Sequence, residues 1–166
     1  MTHHITIGID PGLSGALCFL EDGCNPKFMD MPCIDFKDRQ RICALVLSSI
    51  LRGERGNYAY SGANYFAVTE IPFCRKGESG MAGQRSGINY GIILGVLDAL
   101  SIQRVEVRPQ TWKKHHGLIG TEKDDARKLA LKKFPDYGVW LSRKKDNGRA
   151  DALWIAKWAY ETEAWI

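Results

Sequence analysis

The sequence predicts an α/β domain in which a mixed β-sheet is flanked by helices. Three observations lead there. Apolar residues recur with period two in some stretches and with helical spacing in others, and the two kinds alternate along the chain. Tight-turn residues separate the first strand-like runs. One run, Tyr65-Phe66-Ala67-Val68, is continuously apolar, as a strand covered on both faces should be. The 166 residues suit one domain, taken to span 1–166.

Each element has its own signal. Ile5, Ile7 and Ile9 share one face of a strand and Thr6, Gly8 and Asp10 the other. Pro11-Gly12 turns the chain into a second strand over 14–20, which Glu21-Asp22-Gly23 ends. Ile42, Leu45, Val46 and Ile50 predict an amphipathic helix over 39–51 that stops at Gly53. A strand over 65–70 ends at a carboxylate and Pro72. Residues 73–87, rich in Gly, Ser and charge, read as a loop. An apolar helix follows over 88–100, then an alternating strand over 104–108 halted by Pro109. Thr121 and Asp124 stand at capping-box spacing ahead of a helix that Pro135 stops. A last helix runs over 148–160, where Trp154 and Trp158 share a face and read as core. The order is β-β-α-β-α-β-α-α.

Composition narrows the function classes. With 45% hydrophobic and 25% charged residues, the chain is neither disordered nor fibrous. No stretch approaches the roughly 18 apolar residues of a membrane span. A strand pattern beginning at Ile5 leaves no room for a secretory leader, so a cytoplasmic location is expected. Five cysteines without a C-x-x-C pair read as reduced thiols rather than a zinc site. His115 and His116 are adjacent and cannot act as ligands one helical turn apart; they read as loop or DNA-facing residues. The net charge is +4, but 13 Lys/Arg and 6 Asp/Glu lie between Arg104 and Arg149, leaving a deficit of three elsewhere. A cationic C-terminal half fits a polyanionic partner, and equally a solvated basic face.

The carboxylates are the sharpest feature. Asp10 and Glu70 end hydrophobic strands, and the carboxyl ends of neighbouring strands converge on one crevice. Clustered carboxylates repel unless a cation neutralises them, and hard oxygen ligands suit Mg²⁺ or Mn²⁺. Each acid could instead cap a turn. Asp146 and Asp151 flank the start of the last helix, where acids are favoured by the helix dipole. Ala150 and Ala152 beside Asp151 would let that helix approach the sheet and aim the acid inward. Five positions turn a regular helix about 140° from alignment, so both acids reach one centre only if Asp146 precedes the helix.

Taken in order, Ile7-Gly8-Ile9-Asp10-Pro11-Gly12-Leu13-Ser14-Gly15, Val68-Thr69-Glu70 and Arg143-Lys144-Lys145-Asp146-Asn147-Gly148-Arg149-Ala150-Asp151-Ala152-Leu153 resemble RuvC-type Holliday junction resolvases of the ribonuclease H-like superfamily. The bacteriophage and chloroplast branch is the nearer. Pro109-Gln110-Thr111-Trp112-Lys113-Lys114 and Lys123-Asp124-Asp125-Ala126-Arg127 extend the resemblance over nearly the whole chain. It implies a ribonuclease H-like mixed β-sheet and a homodimer that binds four-way junction DNA. It further implies paired nicks leaving 5′-phosphate and 3′-hydroxyl ends, with two Mg²⁺ or Mn²⁺ ions.

By position, Asp10, Glu70, Asp146 and Asp151 look like the metal-binding acids, and Lys113 and Lys123 like the lysines beside the scissile phosphate. Phe73, Arg75, Lys76 and Arg85 flank the loop that resembles the segment approaching the crossover. Lys114, Arg127, Lys144, Lys145 and Arg149 complete the expected DNA contacts. Asn147 departs from the pattern, because relatives of this branch often carry His there, and an amide cannot accept a proton as imidazole does. The glycines over 77–87 lack the Lys-Ser/Thr ending of a P-loop, so no nucleotide cofactor is expected there. Competing readings are another ribonuclease H-like nuclease, a non-catalytic junction-binding module, and an actin-like phosphotransferase, which would need two such domains.

Overall fold

The computed structural model describes residues 3–37, 39–58, 63–73, 77 and 79–166. Seven strands and six α-helices occur among them in the order β1 (His4–Ile9), β2 (Ala16–Glu21), β3 (Asn25–Asp30), β4 (Cys33–Phe36), β5 (Arg39–Ile42), α1 (Ala44–Tyr58), β6 (Asn64–Glu70), α2 (Gly80–Ala99), β7 (Gln103–Val107), α3 (Pro109–His115), α4 (Asp125–Lys133), α5 (Gly138–Leu141) and α6 (Asn147–Glu161). Short 3₁₀ turns span Pro135–Tyr137 and Lys144–Asp146. β1 to β3 form an antiparallel meander, and β6 and β7 extend it with parallel pairing, giving the order β3-β2-β1-β6-β7. β4 and β5 make a separate hairpin. Among the described residues, no helix is long and apolar enough to cross a membrane.

The period-two pattern divides the core between the two faces of the sheet. Ile5, Ile7 and Ile9 pack with Leu17 and Phe19 against Leu47, Leu51, Ile93 and Leu97 of α1 and α2. Ala16, Cys18, Leu20 and Val68 face the other way, against Ala152, Leu153, Ile155 and Ala156 of α6. Trp154 is buried and donates from Nε1 to Ala126 O (2.8 Å), while Trp158 packs at the margin of the same core, as their shared face predicted. Fully burying side chains such as Leu153 and Ile155 contributes about 1.5–3 kcal/mol each.

Several elements differ from the pattern-based reading. The helix expected over 39–51 begins only at Ala44, because residues 39–42 find backbone partners in β4. It continues through Gly53 and buries Leu47 and Leu51, leaving Leu45 74% exposed. α2 starts at Gly80 rather than 88, since Ser79 Oγ accepts from Ala82 N (3.2 Å) and caps a helix that its glycines would not favour alone. The capping box is not formed. Thr121 donates to Leu118 O (3.0 Å), and Asp124 instead binds Arg127. β3, the β4–β5 hairpin and α3 were not anticipated.

Candidate active site

The first acid sits in a turn that only glycine allows. Asp10 N donates to Ala16 O (3.0 Å), and Gly15 N to Gly12 O (2.9 Å). A Cβ on Gly15 would lie 2.2 Å from Asp10 O. The tight return leaves the Asp10 carboxylate at the end of β1, where Oδ1 accepts from Gly12 N (3.2 Å). Glu70 ends the neighbouring parallel strand β6. Its Oε2 accepts from Trp112 Nε1 (2.7 Å), and Trp112 is wholly buried on α3. Asp151 comes from α6, whose approach depends on missing side chains. A Cβ on Gly8 would stand 2.0 Å from Ala152 O, and one on Gly148 would stand 2.5 Å from Ser14 O. Glycine at these two positions lets the helix lie on β1 beside the Asp10 turn.

The three carboxylates act on one another. Burial raises the Asp10 carboxyl above its ordinary range, opposed by the Gly12 N–H and by Lys113 and Lys123. Burial also raises Glu70; the Trp112 hydrogen bond opposes it, and the charge of Asp10 adds to it. Asp151 is pushed up to about 7, first by burial and then by Asp10, with Glu70 adding to the effect and Lys113 and Lys123 countering it. Two lysines therefore do not satisfy three recessed acids, and the donor set is all hard oxygen, which suits a divalent cation. Among the described residues, the grouping of ligand atoms that lies within 4.8 Å is a different one, His115, His116 and Glu161.

Asp146, expected as a fourth ligand, faces elsewhere. Its Oδ2 accepts from Arg143 N (2.9 Å), Oδ1 accepts from Arg143 Nη2 (2.8 Å), and Arg149 Nη1 lies 3.7 Å away. Burial would raise its carboxyl, but the Arg143 bonds and the two guanidinium charges hold it below the ordinary range. Asp146 ends the 3₁₀ turn that precedes α6, whereas Asp151 lies within the helix. Asn147 follows, its Oδ1 buried without a hydrogen-bond partner.

The expected DNA contacts divide into two groups. Arg127 is buried, bonded through Nε and Nη2 to Asp124 (2.7 and 2.8 Å) and through Nη1 to Leu141 O (2.9 Å). Arg149 forks onto Asp30 at 2.7 Å on both nitrogens and donates to Trp140 O (3.0 Å). Both are clamps between segments rather than free cations. Lys114, Lys123, Lys144, Lys145 and Arg85 are exposed, as is Phe73. Lys113 lies on α3 with Nζ 5.1 Å from the Trp112 ring centre. Arg75 and Lys76 lie outside the described residues. His115 is exposed and His116 half-buried, and both are engaged within the chain. His115 Nε2 pairs with Glu161 Oε2 (2.8 Å) and His116 Nε2 with Trp154 O (2.9 Å), fastening α3 to α6. Trp112, which orients Glu70, was missed as a site residue; the Pro109 that opens its helix was the available signal.

The sheet order, with acids closing β1 and β6 and a third supplied by the last helix, defines a ribonuclease H-like fold. Solved structures share it across nearly the whole chain. Thermus thermophilus RuvC in complex with a Holliday junction substrate matches at TM-score 0.54 and 14% identity, over 97% of this chain and 96% of that one. The yeast mitochondrial Holliday junction resolvase Ydc2 matches at 0.52 and 12%, over 96% and 80%. In sequence, 95 residues are 35% identical to the chloroplastic Holliday junction resolvase MOC1 of Chlamydomonas reinhardtii, covering 57% of this chain and 11% of that protein. No family model matches the chain. The resemblance to RuvC-type resolvases is thus supported by fold and by local sequence similarity.

Proposed function

We propose that the protein is an endonuclease that resolves four-way DNA junctions with the help of divalent metal ions, acting as a homodimer. The observation that supports it most is the convergence of Asp10, Glu70 and Asp151, each with a raised pKa, beside Lys113 and Lys123 in a RuvC-like fold. In this reading Asp10, Glu70 and Asp151 would hold two Mg²⁺ or Mn²⁺ ions. The ions would supply Lewis-acid stabilisation of the phosphodiester and a water of lowered pKa. Trp112 fixes Glu70 by its indole N–H. Lys113 and Lys123 offset charge developing on the phosphate. The cut then leaves 5′-phosphate and 3′-hydroxyl ends. Asp146 is proposed to position rather than to bind, since its oxygens are taken by Arg143. Lys114, Lys144 and Lys145 are proposed to contact DNA phosphates, with Phe73, Arg75, Lys76 and Arg85 nearer the crossover.

The test is nicking of a synthetic four-way junction, a linear duplex and an RNA/DNA hybrid with Mg²⁺ or Mn²⁺. Paired, ligatable nicks in the junction, lost in Asp10→Asn with binding retained, are the expected result. Cleavage of the hybrid with junctions intact would replace this reading with a different ribonuclease H-like activity. Junction binding without cleavage at any divalent ion would leave a binding module.

A further inference from the structure

The β4–β5 hairpin stands apart from the main sheet, and the acid site makes no use of it. Its register pairs Phe36 with Arg39, Ile34 with Arg41, and Asp35 with Gln40. Cross-strand partners share a face, so Ile34, Phe36, Arg39 and Arg41 lie on one side and Asp35 on the other. The cationic side meets the first half of α2 in a groove of 180 Å³ lined by Phe36, Arg39, Arg41, Arg85 and Ile88. Asn89 Oδ1 accepts from Ile42 N (3.1 Å) and pins hairpin to helix.

Three features distinguish this groove from an ordinary solvated basic face. Among the described residues, no carboxylate pairs with Arg39, Arg41 or Arg85, whereas Arg104, Arg127, Arg143 and Arg149 all have one. The Arg41 guanidinium lies 4.2 Å from the centre of the exposed Phe36 ring, and its Nε is buried with no acceptor. The hairpin is also rooted at the reacting end of the sheet. Met31 N donates to Gly15 O (3.0 Å) and Cys33 Sγ to Leu13 O (3.5 Å), both in the turn that carries Asp10. Glu70 ends β6 at that same edge, because β6 runs parallel to β1.

We infer that this groove extends the DNA-binding surface onto the hairpin, where Arg39 and Arg41 join Arg85 in gripping backbone phosphates of the strand led to the acid cluster. Charge complementarity selects the occupant: three guanidiniums that no carboxylate among the described residues pairs with fit a polyanion, and their planar forks match phosphate oxygens. The Arg41–Phe36 stack holds one fork in place ahead of binding. The inference rests on the proposed DNA-cleaving role and extends it to an element that the sheet does not need.

The test is anisotropy titration of the full chain with four-way junction and linear duplex DNA at several salt concentrations, in chelator to suppress cutting. Arg39→Gln/Arg41→Gln is compared with Arg39→Lys/Arg41→Lys. Arg39 is exposed and Arg41 half-buried, and thermal unfolding verifies that the variants are folded. The Gln pair should weaken binding on the order of tenfold and flatten the salt dependence by about two units of slope, while the Lys pair should keep most of the slope. Unchanged affinity and slope in the Gln pair, with wild type binding DNA, overturns the groove and leaves the acid site untouched. A change in sedimentation without a change in affinity also overturns it, because the groove then joins copies of the chain. Equal wild-type preference for duplex and junction, with the Gln pair weakened on both, keeps the groove but removes junction specificity. Failure of wild type to bind any DNA ends both readings.

Discussion

Asp146 and Asp151 lie five residues apart at the entry to one helix, yet their surroundings treat them oppositely. Asp146 is enclosed by donors: the Arg143 backbone and guanidinium bind both its oxygens, and its carboxyl stays ionised below the usual range. Asp151 is recessed among other acids and is pushed up to about 7. The first side chain is satisfied within the chain and stabilises it. The second is left in deficit, and a group in deficit is what a cation can improve. Sequence proximity therefore says little about shared chemistry when the first turn of a helix separates two side chains.

The largest effect expected from this contrast is on catalysis. Asp151→Asn should lower junction nicking by about 10³-fold or more, through loss of a ligand. In chelator the same variant should be more stable, by about 1–2 kcal/mol at neutral pH, because it removes a carboxylate whose ionisation the fold opposes. Thermal melts with and without Mg²⁺ check the second half, and a lower melting temperature in chelator would break the comparison. Gly8→Ala should cost about 3 kcal/mol or more and remove nicking as well, since a Cβ 2.0 Å from Ala152 O must push α6 and Asp151 away from β1. Equilibrium urea unfolding measures it.

Asp146→Ala should behave as the mirror of Asp151→Asn. Removing the acid leaves the Arg143 N–H without its acceptor and breaks the Arg143 ion pair, at about 2 kcal/mol, or a fall in Tm of roughly 4–8 °C. Metal-dependent melting should persist in this variant; its disappearance would return Asp146 to the ligand set. The pH dependence follows in sign. A carboxyl held low in the folded state contributes stability above its unfolded pKa, and that stability is lost as pH falls through the folded value. Denaturation midpoints measured from about pH 5 down to pH 2 should fall less in Asp146→Asn than in wild type. Trp112→Phe should have the smallest effect. It frees Glu70 from its donor and lowers nicking about tenfold, with the KM for DNA unchanged.

Much of the sheet was legible because its signals are local. Alternating isoleucines set β1, and the continuous run at 65–68 set β6; β6 is covered on both faces as read, and β1 is too, which its alternation did not indicate. Asp10, Glu70 and Asp151 were legible because strand ends and small flanking residues mark them. The hairpin was not, because Arg39-Gln40-Arg41 has no apolar alternation and gains strand form only from β4. Arg149 reads as a free cation because its acceptor, Asp30, lies 119 residues away; for Arg127, Asp124 is only three residues off, and the distant contact is Leu141 O, 14 residues away. α3 and its Trp112–Glu70 bond span 42 residues for the same reason.

The sequence by itself determined which residue types could serve: acids closing hydrophobic strands, glycines where backbones must touch, and a surplus of cations in the second half. Only the tertiary structure decided which acid is paid off by arginine and which is left wanting charge. That allocation depends on partners far apart in the chain. Burial magnifies each of their charges, so two acids at the entry to α6 diverge, one held low by Arg143 and the other raised among acids.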